Sequence, residues 1–252
     1  MKILVPVKPV ADPGTKAQTW MQAQEGRTEG VNFVINYFDL IALEEAVRIR
    51  DRIGGEVILV SICRPEMITQ VRSAIALGAN RSIVIEPEGR PGWSQIAAAL
   101  KKIVDEEKPD IVLMGKQATD DDASQVGPIL AEMLGWPQAT YASEVKISDD
   151  RKRVTAAREV DEGVEVIEVE LPAVITTDLR LNEPRYATLP NLIKAKKAPL
   201  DQRKWADLGL GAAPAQTELL GYEVAPGRSG GLVKVPDAAA LIQLLREPKA
   251  IA

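Results

Sequence analysis

Histidine is absent from all 252 residues. That absence removes the commonest general base, a Ser-His-Asp triad and any His-containing zinc site. Cysteine occurs once, at Cys63, so no intrachain disulfide can form. A reducing compartment fits this usage, and a free cysteine is ordinarily buried packing rather than a nucleophile. Basic residues are not in excess, 31 against 36 acidic for a formal net charge of -5, which leaves no global surplus to neutralise a nucleic-acid backbone. No apolar run approaches the ~18 residues that a membrane span requires. The opening Met1-Lys2-Ile3-Leu4-Val5 lacks both the long apolar region and the cleavage site of an export signal. The expectation is a soluble, cytoplasmic chain with no direct membrane insertion.

What is present is enough apolar material, 46% of residues, to fill a sizeable core. Short apolar runs at Ile3–Val7, Val57–Ile62, Ser82–Ile85 and Ile111–Met114 have the texture of strands buried on both faces. Helical patterns separate them, at Leu40–Ile53, Met67–Leu77, Ile96–Val104 and, after the fourth run, Val126–Leu134. This alternation predicts an α/β fold built of crossover units around a parallel sheet. Gly54, Gly78 and Gly135 stand just past helix ends, where a cap residue belongs. Beyond Pro137 the pattern alternates, and Arg153–Val160 and Val164–Val169 predict an antiparallel hairpin turning at Asp161-Glu162-Gly163. Ala173–Thr176 reads as one more core strand. Residues 12–30 read as a surface excursion, and from Pro190 onward the composition suggests an arm laid over another protein, with a helix only at Asp237–Arg246.

Two glycine-containing stretches are decoys. Gly115-Lys116 lacks the earlier glycine and the Ser/Thr of a phosphate-binding loop, and Gly209-Leu210-Gly211 lacks the third glycine of a dinucleotide fingerprint. More informative is the whole stretch from Gly115 to Gly127, which runs from a strand's carboxyl end into a helix, where ligands of parallel sheets bind. Backbone N–H groups around Ser124–Gly127 would face an anion from a helix N-terminus. Asp120, Asp121 and Asp122 would repel that anion, so they must cap the helix, face solvent or bond ribose hydroxyls. Asn36 could offer its amide to an adenine edge with Phe38 packed beside it, or Asn36 or Asp39 could simply cap the next helix.

The segment from Asp178 to Lys197, DLRLNEPRYATLPNLIKAKK, closely resembles the signature of the electron transfer flavoprotein beta subunit. The likeness continues at Val7-Lys8, Glu44-Glu45-Ala46, Ala76-Leu77-Gly78-Ala79, Gly115-Lys116-Gln117-Ala118, Trp136-Pro137, Arg158-Glu159-Val160-Asp161 and Leu171-Pro172-Ala173-Val174. The resemblance implies a Rossmann-like domain of the adenine nucleotide alpha hydrolase type over residues 1–190, and an arm over 191–252 that wraps an alpha subunit. It implies one structural AMP in this chain and an FAD shared with the alpha subunit. The implied pocket comprises Pro6, Asn36, Tyr37, Phe38, Asp39, Ile62, Cys63, Gly115, Lys116, Gln117, Ala118, Thr119, Asp120, Asp121, Asp122, Ala123, Ser124, Gln125 and Val126.

The resemblance further implies an electron carrier subunit without catalytic residues of its own. It would take electrons from flavoprotein dehydrogenases such as those acting on acyl-CoA in fatty acid oxidation, and pass them to a quinone oxidoreductase. Leu189, beside Tyr186, would plug an apolar pocket on the dehydrogenase, while Glu159 would pair with an arginine of the alpha subunit. Lys194, Lys196 and Lys197 would steer an acidic partner. Two features of the sequence depart from that pattern: Tyr37 replaces the usual proline, and Gln125-Val126-Gly127-Pro128 is similar to the flavin-bifurcating branch, in which a second FAD replaces AMP and NADH is oxidised. A stand-alone ATP-binding domain of like architecture is the remaining alternative.

Overall fold

The computed structural model describes residues 1–210, 220–223 and 232–246. The chain forms two compact units, Met1–Leu220 and Gly221–Ala252. In the first, a nine-stranded sheet is built from β1 (Lys2–Pro6), β4 (Glu56–Ile62), β5 (Arg81–Glu86), β6 (Ile111–Gly115), β7 (Gln138–Ile147), β8 (Arg153–Val160), β9 (Gly163–Glu170), β10 (Ala173–Thr177) and β11 (Asp201–Lys204). A separate antiparallel pair joins β2 (Pro9–Ala11) to β3 (Phe33–Ile35).

The strand order is β11-β5-β4-β1-β6-β10-β7-β8-β9. Every neighbouring pair from β11 to β7 is parallel, while β8 and β9 complete an antiparallel hairpin. The continuous apolar runs are explained by burial on two sides. Ile3, Val5, Leu59 and Leu113 face Ala42, Leu43 and Val47 of α2 (Tyr37–Ile53). Leu4, Ile58, Val60 and Val112 face Leu100 and Ile103 of α4 (Trp93–Glu107) and Leu130 of α5 (Val126–Leu134). A smaller cluster places Cys63, Met67 and Val84 against Val71 of α3 (Ile68–Ile75). Gly135 takes the left-handed cap after α5 (φ 64°), its N–H donating to Ala131 O.

From β1 the chain turns to β4 and β5 on one side, then crosses to β6 on the other. The carboxyl ends of β1 and β6 therefore flank the point where strand order reverses, where a crevice opens in sheets of this kind.

The structure departs from the sequence pattern in two places. The excursion over 12–30 contains α1 (Ala17–Gln24), whose AQTWMQAQ sequence has no clear apolar stripe. Long-range arginines hold its end: Arg90 Nη1 donates to Gln24 O at 2.6 Å and Arg64 Nη1 to Gly26 O at 2.8 Å. After Thr188 the chain forms α6 (Leu189–Lys197), started by Thr188 Oγ1 accepting from Asn191 N with Pro190 in the first turn, a position proline tolerates. It then adds β11 to the sheet edge, and Trp205 and Leu208 bury in the α4-side core. The first compact unit thus continues past 190, with edge pairing and a buried indole holding residues 201–208. In the second unit, α7 (Ala238–Arg246) begins at Asp237, whose Oδ1 accepts from Ala240 N, and exposes Leu241, Ile242 and Leu245 within that unit. The rest of the expected arm, 211–219, 224–231 and 247–252, lies outside the described residues.

Replacing Trp205 by Ala should cost about 3–5 kcal/mol in denaturant unfolding, as for other large buried side chains. A loss below ~1 kcal/mol would detach residues 201–208 from the core.

Candidate functional site

The ends of β1 and β6, at the strand-order reversal, are organised by one carboxyl group. Asp39, in the first turn of α2, is buried, and its Oδ2 accepts from Lys8 N at 2.8 Å while Oδ1 accepts from Gly115 N at 3.1 Å. It ties the chain leaving β1 to the end of β6. The approach is so close that a Cβ on Gly115 would stand 2.4 Å from Asp39 Oδ1 and 2.7 Å from Phe38 Cβ. Only glycine fits there. Burial pushes the Asp39 carboxyl up to about 7, with the Lys8 and Gly115 N–H groups pulling the other way.

Asn36 precedes the helix with both polar atoms committed. Nδ2 donates to Gln117 O at 2.8 Å and Oδ1 accepts from Thr119 N at 3.3 Å. It makes no side-chain cap bond to α2; it staples the 115–119 loop to the helix. Phe38 is buried rather than open to a ligand, and Tyr37 beside it is half exposed.

Beyond the staple, the aspartates find cations and amides within the chain. Lys8 Nζ donates to Asp120 Oδ1 at 2.7 Å and to Asp121 Oδ2 at 3.3 Å. Burial alone would lower the Lys8 ammonium, but the two carboxylates outweigh it and raise its pKa. Trp93 Nε1 also donates to Asp121 Oδ2, and Gln117 Nε2 to Asp122 Oδ1 at 2.7 Å. Asp122 (φ 47°) and Ser124 (φ 54°) hold left-handed backbone, a conformation that side chains other than glycine adopt at some cost. The chain then enters α5 at Gln125, which makes no side-chain cap bond, so the helix's first-turn N–H groups are left without one. Gly127 is required at that entry, since a Cβ there would meet Thr176 Cγ2 at 2.5 Å. Thr119 Oγ1 is buried without a hydrogen-bond partner.

Of the residues expected from sequence, Asn36, Asp39, Gly115, Gln117, Thr119 and Asp122 are linked by direct bonds and Asp120 and Asp121 join them through Lys8, with Pro6 at the end of β1 and Ala118, Ala123, Ser124, Gln125 and Val126 on the same loop. Two side chains point to other business. Lys116 Nζ pairs with Asp178 Oδ2 at 2.6 Å and lies 5.5 Å from the Phe38 ring and 5.3 Å from that of Tyr141. Cys63, next to Ile62 at the end of β4, packs among Met67, Val71 and Val84, and burial pushes its thiol up, against a nucleophilic role. Lys8 is the residue that sequence reasoning missed. Its signal was a lone cation two residues past a core strand, with an acidic run in need of a partner.

Tyr186 is 93% and Leu189 70% exposed, so Leu189 is not a core residue. Glu159 on β8 pairs within the chain with Arg180.

Comparison with known proteins concerns the chain as a whole. An electron transfer flavoprotein domain matches residues 27–208. The electron transfer flavoprotein subunit beta of Bradyrhizobium diazoefficiens is 43% identical over 98% of each chain. The human protein of the same name is 42% identical over 98% of this chain and 97% of its own. A mitochondrial one from Arabidopsis thaliana is 43% identical over 92% of this chain and 93% of its own.

The raised Asp39 carboxyl has a measurable consequence. Its folded value, about 7, lies above the ~3.9 of an unfolded aspartate, so between those values the native state binds a proton that the unfolded chain releases. The contribution of Asp39 to stability is therefore largest below pH ~4 and is lost as pH rises toward 7. Urea unfolding of wild type and Asp39→Asn at pH 5 and pH 7 should show the wild type losing stability relative to the variant. Should the variant not fold, carboxyl-carbon NMR of the wild type reads the same titration; a midpoint near 4 would contradict the assignment.

Proposed function

The chain belongs to the electron transfer flavoprotein family, as a beta subunit, and from that premise we propose that it is the nucleotide-holding and docking half of a heterodimer with an alpha subunit. The reading assigns one AMP to the crevice between β1 and β6, and an FAD shared with the alpha subunit. The flavin would supply the electron chemistry, so this chain needs no acid, base or nucleophile of its own. Acyl-CoA or related flavoprotein dehydrogenases are the donors in this reading, as in fatty acid oxidation, and a quinone oxidoreductase is the acceptor. No described helix is long and apolar enough to cross a membrane, and the reading places the complex in the cytoplasm.

The observation that carries the nucleotide assignment is where the aspartates go. Lys8 takes Asp120 and Asp121, and Gln117 takes Asp122, so the carboxylates are occupied beside a helix N-terminus that has no side-chain cap. An anion near Ser124–Val126 would meet backbone N–H groups and the positive end of α5 with the local acid partly neutralised. The unpartnered Thr119 hydroxyl is a buried polar atom for which a bound nucleotide would supply a partner. In this arrangement the aspartates shape the loop rather than serve primarily as ribose ligands.

Docking is assigned to Leu189 because it is an exposed apolar side chain at the first position of α6, followed directly by Pro190. Burying it against a partner would contribute about 1.5–3 kcal/mol, roughly ten- to a hundredfold in affinity. That suits a contact which must also release. Glu159 would exchange Arg180 for an arginine of the alpha subunit. A second FAD in place of AMP is the competing reading, favoured by Gln125-Val126-Gly127-Pro128 at the mouth of α5.

Mass spectrometry of small molecules released from the purified heterodimer should find one AMP and one FAD. Two FAD and no AMP would replace this assignment by the bifurcating one. Leu189→Ala should leave flavin content and unfolding unchanged while slowing reduction by an acyl-CoA dehydrogenase at least severalfold; unaltered kinetics would remove the docking role.

A further inference from the structure

We infer that Glu44 is a positioning residue that holds the docking segment in its working orientation, an inference resting on the docking role proposed above for Leu189. Glu44 sits in the middle of α2 with its side chain 4% exposed. Its Oε2 accepts from Arg185 N at 3.2 Å and Arg185 Nε at 2.7 Å. Its Oε1 accepts from Arg185 Nη2 at 3.2 Å and Arg48 Nε at 2.6 Å. Arg48 in turn reaches the carbonyl of Glu183 at 3.2 Å, and Asn182 Nδ2 donates to Ile41 O and to Glu45 Oε2. The backbone is thereby fixed from Asn182 to Arg185, directly before the exposed Tyr186.

Residues 183–188 have no helix or strand to hold them. Each irregular residue left free to move loses conformational entropy when a partner must order it. A buried carboxylate bonded to one guanidinium through both oxygens supplies both strength and a fixed direction. Burial would push the Glu44 carboxyl up, and the bonds from Arg185 and Arg48 reverse that and hold it below the usual carboxylate range. Both arginine side chains remain 40–47% exposed, so without the carboxylate they would be hydrated, not stranded in the core. Removing the charge should loosen the segment far more than it weakens the fold.

The test uses the flavin-loaded heterodimer with an acyl-CoA dehydrogenase as donor. Glu44→Gln should raise KM for the dehydrogenase severalfold, with kcat, flavin content and unfolding midpoint nearly unchanged, and amide exchange should quicken only within residues 183–189. Arg185→Gln should behave alike, and the double variant should be no worse than either single one, because all three break one tie. A KM shift matched by a fall in unfolding midpoint and faster exchange throughout would make Glu44 merely structural and overturn the inference. If Leu189→Ala raises KM while Glu44→Gln does not, the positioning role falls and docking by Leu189 stands. If neither changes KM, the docking reading fails and takes this inference with it.

Discussion

A single buried carboxyl group, Asp39, bonded to the backbone of two diverging strand ends, is the constraint on which the rest of the crevice depends. Strands β1 and β6 are adjacent in the sheet, but the chain leaves them in different directions, and nothing in the strand pairing itself fixes how far apart those exits lie. Asp39 fixes that separation by accepting from both. The cost is desolvation, seen in the raised pKa, and the geometry requires that residue 115 have no Cβ. Asn36 then carries the same helix end onto the loop, and Lys8, positioned by its own N–H to Asp39, gathers Asp120 and Asp121. Anchor, loop and counter-charge are one connected set.

The same helix serves a second region. Its first turn organises the crevice, and one to two turns further on Glu44, Glu45 and Arg48 bind the segment that leads to Tyr186 and Leu189. Buried polar side chains on α2 are otherwise hard to explain, because the opposite face already packs Ala42, Leu43 and Val47 into the sheet. Each of these groups is paired, and Glu44 and Glu45 reach a segment without regular structure of its own. A rigid amphipathic helix is thus used as a ruler for two irregular loops.

Much of this was legible in the residues. The core strands could be read because two-sided burial demands unbroken apolar runs, and the crevice because a loop between β6 and α5 lies at a carboxyl edge of the sheet. The elements that could not be read depended on distant partners. The strand DQRK of β11 carries no apolar residue; it exists because β5 offers an edge and the buried Trp205 anchors the chain at its carboxyl end. Helix α1 lacks a stripe and is held by Arg64 and Arg90. Pro190, where the arm was expected to begin, stands in the first turn of α6, where its missing N–H costs nothing. Lys8 became part of the site only through charges more than a hundred residues away.

The most direct examination of the account is a crystal structure of this chain with its alpha subunit and whatever nucleotide it retains. An adenylate phosphate should lie within hydrogen-bond distance of the backbone N–H groups at Ser124–Val126, with Lys8 still paired to Asp120. A phosphate bound elsewhere, or a crevice in which Lys8 has left the aspartates to bind the ligand itself, would contradict it.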